Sequence, residues 1–170
     1  MELKTKSMTT KEIQKSICKE EVLKGNLPCE NISMGMAEMD VLSILKSGYI
    51  VEIETKISRS DFKADAKKTK WKFFDLRVEG QIPNYFYYAC PKDMISKDEI
   101  QKYAGLIYVD NGIVTVVKRA KILHRFKHDI LKILTKMCRM KSERKYLGSC
   151  LMTYKNNLVK ERNEKYLANA

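Results

Sequence analysis

With 170 residues, 44% of them hydrophobic, the chain is long enough for one globular domain with a real core, which excludes a disordered or fibrous class. Its formal net charge of +12 points toward a polyanionic partner, because clustered Lys and Arg release counterions when they neutralise phosphates. Charge alone fits a nucleic acid, ribosomal RNA or an anionic membrane surface.

Thr9-Thr10-Lys11-Glu12 predicts a helix start, with Thr9 as N-cap and Glu12 at the capping-box position. Ile13, Ile17, Val22 and Leu23 continue that helix to a stop near Gly25, and 26–28 is a turn. A short strand is expected over Cys29–Met34 and a longer one over Met36–Leu45. Lys46-Ser47-Gly48 reads as a tight hairpin, followed by a β-prone segment over Tyr49–Ile57. Ser58 resembles an N-cap for a helix over about 59–73. An aromatic strand follows at Asn84–Cys90, ended by Pro91, and Ser96-Lys97-Asp98-Glu99 is a second capping-box candidate before a short helix. Strands at Gly105–Val109 and Ile113–Val117 flank Asp110-Asn111-Gly112, a hairpin turn. From about His128 onward the pattern is helical and basic. The order predicts an α/β (α+β) fold with a central mixed β-sheet flanked by helices. A basic helical C-terminal extension, 126–170, packs on the core of 1–125.

Cys18, Cys29, Cys90, Cys138 and Cys150 are odd in number and widely spaced, so neither a disulfide framework nor a zinc pattern is expected. Reduced thiols in a cytoplasmic protein fit better. The segment MELKTKSMTTKEIQKS has no apolar signal core, and no apolar run reaches the ~20 residues of a membrane helix.

The stretch MAEMDVLSILKSGYIVEIETKISRSDF carries the chemistry. It places Asp40 in one apolar run and Glu54-Thr55-Lys56 in the next, one hairpin later. Two carboxylates can hold a hard cation through oxygen, and a lysine beside them can orient or activate an attacking water. This is the equipment of a magnesium-dependent nuclease. Strand alternation puts Glu52, Glu54 and Lys56 on one side and Val51, Ile53, Thr55 and Ile57 on the other. It also pairs Glu38 with Asp40 on one face of the preceding strand. Such clustered negative charge costs energy unless a cation compensates it. A plain solvent-facing sheet shows the same alternation. Against it stand the apolar residues between the charges on both strands and the lysine-rich helix that follows.

The Asp40 … Glu54-x-Lys56 pattern resembles the PD-(D/E)XK nuclease superfamily, with its restriction-endonuclease-like core. More closely, VEIETKISRSDFKADAKKTKW, NYFYYACPKD and KYAGLIYVDNGIVTVVKRAKIL are similar to MmcB-type DNA-repair proteins and their phage relatives. The likeness covers about Met36 to Leu123. It rests on Asp61-Phe62 … Asp65, Trp71 and Gly105-Leu106-Ile107 besides the Glu-x-Lys signature. Met39 stands where the superfamily's name has proline. The resemblance implies a DNA nuclease using Mg²⁺ or Mn²⁺, in repair, recombination or phage DNA metabolism, in a bacterial or phage-infected cell. Asp40 and Glu54 would be metal ligands with the Thr55 backbone carbonyl, and Lys56 the water-activating lysine. Many members add a glutamate from the first helix. Glu12, Glu20 and Glu21 are candidates that spacing does not separate, and Glu38 could serve instead. Asp61 and Asp65, at i and i+4, could support the ligands or pair with lysines, and the second role suits Asp65 better. The alternative is a catalytically inactive nuclease-fold protein that binds nucleic acid or a host protein. A homodimer would suit an enzyme that cuts both strands.

Arg59, Lys63, Lys67, Lys68 and Lys70 on the following helix would track a nucleic-acid backbone. Lys118 to Lys145 form a second basic segment. His124 and His128 would share a helix face without a third ligand nearby. Of the aromatic run from Tyr85 to Tyr88, alternation buries about half, and Trp71 reads as a core anchor.

Overall fold

The computed structural model describes residues 8–33, 38–65, 70–76, 78 and 82–141. The first element, α1 (Thr10–Leu23), starts as its sequence dictates. Thr9 caps it, the Glu12 amide bonds the Thr9 hydroxyl, and the Glu12 carboxylate reaches back to the Thr9 amide at 2.7 Å. Lys24 closes the helix, and Gly25, at φ 76°, supplies the left-handed residue that turns the chain away. Ile13 and Ile17 form its buried stripe, and burying each contributes about 1.5–3 kcal/mol.

Six strands follow among the described residues: β1 (Leu27–Ser33), β2 (Glu38–Ile44), β3 (Ile50–Thr55), β4 (Tyr85–Pro91), β5 (Gly105–Asp110) and β6 (Ile113–Lys118). They form one sheet in chain order. β1, β2 and β3 make an antiparallel meander, β4 joins β3 in parallel and β5 joins β4 in parallel, and β6 closes the sheet antiparallel to β5. The expected mixed sheet flanked by helices is the fold observed, and it has the arrangement of a restriction-endonuclease-like core. Gly48 at φ 75° closes the β2–β3 hairpin, and Asn111 (φ 48°) with Gly112 (φ 83°) closes the β5–β6 hairpin.

The two sheet faces carry separate cores. Ile13 and Ile17 of α1 pack on Val41, Val51, Ile53, Ala89, Ile107 and Val109. The opposite face buries Trp71, Phe74, Phe86, Tyr88, Cys90 and Leu106. The second face is covered by the crossover from β3 to β4, which holds α2 (Arg59–Asp65) and α3 (Lys70–Asp75). The helix expected over 59–73 therefore appears as these two segments, with 66–69 outside the described residues. The Ser58 hydroxyl accepts the Asp61 amide at 3.1 Å, as its capping role requires.

The segment before β5 departs from expectation. Only half of the expected box forms: the Ser96 amide donates to the Glu99 carboxylate at 2.8 Å, but the Glu99 amide bonds the Ser96 main-chain carbonyl at 3.1 Å and the Ser96 hydroxyl accepts from the Asp98 amide at 3.4 Å. No helix follows; 96–104 is a chain of turns. The Glu99 carboxylate is drawn instead to the Arg59 guanidinium. Beyond β6 the chain runs without regular structure until a helix begins at residue 130. His124 and His128 precede that helix, so no helical face brings them together, yet their rings lie 5.5 Å apart. Burial, with the His124 charge second, pushes the His128 imidazole below its ordinary range.

The chain divides into two units, Met1–Ile130 and Leu131–Ala170. Of the second, 131–141 is helical and the rest lies outside the described residues, including Cys150 and the end of the second basic segment. The other four cysteines are free thiols. Among the described residues no helix is long and apolar enough to cross a membrane.

Candidate active site

β3 lies between β2 and β4, so both its edges are paired; with α1 on one face and the aromatic crossover on the other, every residue from Ile50 to Thr55 is buried. Alternation then forces Glu52, Glu54 and, just past the strand, Lys56 into one interior, with exposures of only 2%, 4% and 2%. The solvent-facing alternative is thereby excluded. The Lys56 ammonium donates to Glu54 Oε1 at 3.0 Å and to Asp65 Oδ1 at 2.9 Å. Asp61 Oδ1 stands 3.9 Å away at the rim. Asp65 is the lysine partner expected of it, and the lysine is Lys56. The helix α2 brings it there because Ser58 starts a new element two residues after Lys56.

Asp65 is itself held from two further directions. The Tyr88 hydroxyl donates to its Oδ2 at 3.1 Å, and the Trp71 indole N–H donates to its main-chain carbonyl at 2.6 Å. Burial, then the Asp65 charge, push the Tyr88 phenol well above its ordinary range, so it stays protonated and donates. Gln101 Nε2 reaches the same hydroxyl at 3.5 Å.

Asp40 sits at a fork between strands. The β2–β3 ladder ends at Val41↔Ile53, and one more step would set Asp40 opposite Glu54. Instead the Asp40 carboxylate Oδ2 accepts the Thr55 amide at 2.7 Å and the Thr55 hydroxyl at 2.6 Å. It replaces the main-chain acceptor that β2 no longer offers. The Lys56 amide bonds Ala89 of β4, so the Thr55 amide and carbonyl both face the β2 edge, toward the fork.

A second irregularity lies level with the fork on the other side of β2. Glu30 pairs with Val41 and Ile32 with Met39, while Asn31 between them has φ 50° and is absent from the ladder. A left-handed residue inside a strand bends it locally. Gln14 of α1, buried, donates from one amide group to Asn31 Oδ1 at 2.9 Å and to the Asp40 carbonyl at 3.2 Å. Gln14, Asn31 and Tyr88 were missed as site residues from sequence. Asn, the residue that best tolerates left-handed geometry after Gly, was the available signal for a bend at position 31.

The predicted residues therefore separate into groups. Glu54 and Lys56 meet directly, and Asp40 joins Thr55 one strand position away. Glu12 is engaged in its capping box. Glu20 pairs with Lys24, while Glu21 accepts from Asn26 and Ser43 at 2.8 Å each. Glu38 is exposed. Among the described residues no three His, Cys, Asp or Glu side chains converge as a metal cluster. Arg59 bonds Glu99 and donates to the Met94 carbonyl at 2.8 Å. Lys63 is exposed on α2. Lys67 and Lys68, and the side chain of Lys70, lie outside the described residues. A cavity of about 220 Å³ lies on the α1 face, lined by Ile17, Val51, Ile53, Tyr85 and Tyr87. The sheet separates it from Glu54 and Lys56.

No family model matches the chain, and no curated protein matches it. Among solved structures it is similar to the SPO1766 protein of unknown function from Silicibacter pomeroyi. That likeness has 19% identity and a TM-score of 0.63, over 84% of this chain and 90% of the other. It is also similar, at 17% identity and a TM-score of 0.45, to a repair endonuclease from Pyrococcus abyssi, over 64% of this chain and 50% of the other. The first likeness extends the fold to nearly the whole of a second protein.

Proposed function

We propose that this chain is a metal-dependent nuclease of the PD-(D/E)XK type, hydrolysing phosphodiester bonds in DNA during repair, recombination or phage DNA metabolism. The observation that carries the reading is the buried Lys56 ammonium held against Glu54 and Asp65, beside the fork where Asp40 leaves the sheet ladder. Buried ion pairs are weak stabilisers and often cost more than an apolar replacement. Such a group in the middle of a sheet is therefore better explained by chemistry than by stability.

The residues fit Mg²⁺ or Mn²⁺. Both Asp40 hydrogen bonds fall on Oδ2, and the Thr55 carbonyl faces the same fork. Mg²⁺ favours oxygen and is commonly held by one or two carboxylates, keeping several waters, so a three-carboxylate cluster is not required. Asp40, Glu54 and the Thr55 carbonyl would hold the ion, with Glu38 as a further carboxylate, or Glu12 once released from its capping box. When bound, the ion would supply charge neutralisation at the phosphate and a more acidic water. Lys56 would orient the attacking water or stabilise charge building on the phosphate. Arg59, Lys63, Lys67, Lys68 and Lys70 would follow the backbone by charge, without reading bases. Arg59 would first have to leave Glu99. A homodimer would allow both strands to be cut.

The second reading is a catalytically inactive nuclease-fold protein that binds nucleic acid or a host protein. The direct bond from the Lys56 ammonium to Glu54 Oε1 at 3.0 Å, which engages a carboxylate that an ion would need, favours it. A cleavage panel of single-stranded, duplex and branched DNA with Mg²⁺, Mn²⁺ or EDTA separates the two. Cleavage that needs the ion and is lost in Asp40→Asn is the expected result. Binding without cleavage under every condition would establish the second reading, and undiminished cleavage by Asp40→Asn would remove Asp40 from the site.

A further inference from the structure

We infer that Asp65 is a positioning residue that takes over Lys56 when Glu54 turns to a divalent cation. This rests on the nuclease reading above. The Lys56 ammonium bonds Glu54 and Asp65 at nearly equal lengths, 3.0 and 2.9 Å. An ammonium has three donors and can hold both carboxylates at once. A cation on Glu54 changes that balance, because ammonium and metal repel each other across a shared carboxylate. Lys56 then needs a second buried anion, and Asp65 is placed to be it.

The two carboxylates are placed differently. Asp65 has a side chain with no exposure, fixed through Oδ1 by Lys56, through Oδ2 by the Tyr88 hydroxyl and through its backbone by the Trp71 indole. It is a short side chain on a helix, locked by aromatic residues that themselves form the core of that face. Glu54 is one methylene longer and sits at the end of β3 beside the fork. Asp61 is a poor substitute, since it is 47% exposed and 3.9 Å from the ammonium. Asp65, deep against the aromatic core, is placed to stay with the lysine, and Glu54, next to the fork at Asp40 and Thr55, is the carboxylate that an ion there would reach. Neutralising Asp65 would leave Glu54 as the buried carboxylate on which Lys56 depends, and the ion would have to compete with the lysine for it.

The test is cation affinity in the full chain without DNA, measured by counting free Mn²⁺ with electron paramagnetic resonance. Asp65→Asn should bind Mn²⁺ about 10–100-fold more weakly than wild type, the usual effect of removing a group that orients a ligand. Asp65→Glu, which keeps the charge, should recover part of the loss. Tyr88→Phe removes one bond that fixes Asp65 and should weaken binding by less than Asp65→Asn; it also serves if Asp65→Asn does not fold. Wild-type affinity in Asp65→Asn, or in Tyr88→Phe if Asp65→Asn does not fold, would overturn the inference while leaving the nuclease reading intact. An equal loss in Asp65→Asn and Asp65→Glu would also overturn it, in favour of a packing role. A wild-type chain that neither binds Mn²⁺ nor cleaves DNA would overturn the nuclease reading itself.

Discussion

The two faces of β3 are equally buried and chemically opposite. Val51, Ile53 and Thr55 look toward α1, where Ile13, Ile17, Val41 and Ala89 complete an apolar layer. Glu52, Glu54 and then Lys56 look toward α2 and α3, among Phe86, Tyr88 and Trp71. The first face stabilises by removing apolar surface from water. The second places charge where desolvation works against it, and it is kept only because each charge has partners. One strand thus serves both as a structural member and as a mount for reactive groups.

The comparison breaks most visibly at Lys56. Lys56→Ala leaves Glu54 and Asp65 without the ammonium that bridges them, and removing one side of a buried pair costs about 3–5 kcal/mol. Chemical denaturation should show that loss together with absent cleavage. Lys56→Ala retaining full stability would mean that the charged face is better solvated than its burial implies.

Ile53→Ala acts on the other face. Truncating a buried isoleucine costs about 2–5 kcal/mol, depending on how far the cavity collapses. Cleavage per folded molecule should stay near wild type at a temperature where the variant is still folded. A cleavage defect as large as that of Lys56→Ala would show that the two faces are not separable.

The apolar face was the more legible in the sequence. The Thr9–Glu12 box, Ile13 and Ile17, and the alternation of Val51 and Ile53 each have a local cause that tertiary context did not override. The Asn111-Gly112 turn was legible for the same reason. The charged face was legible in composition and not in environment. A Glu-x-Glu-x-Lys alternation reads identically whether water or an aromatic core covers it, and only the crossover through α2 decides that here. Ser96 and Glu99 show the reverse failure: only the carboxylate half of the local box forms, Arg59, forty residues earlier, shares the Glu99 carboxylate, and no helix follows. The bend at Asn31 and its tie to Gln14 are hidden for a similar reason. They depend on which strand residue lies beside α1, and that is a property of register.

The central claim is that the charged face of β3 exists for chemistry and adds little to stability. Glu54→Gln tests it most directly, with thermal unfolding and single-turnover DNA cleavage measured on the same preparation. Lys56 keeps Asp65 as its partner in this variant, so unfolding free energy should change by no more than about 1 kcal/mol. Mg²⁺-dependent cleavage should fall below detection. A variant that cleaves at the wild-type rate but unfolds several kcal/mol more easily would show that Glu54 is a structural ion-pair partner, and would contradict the account.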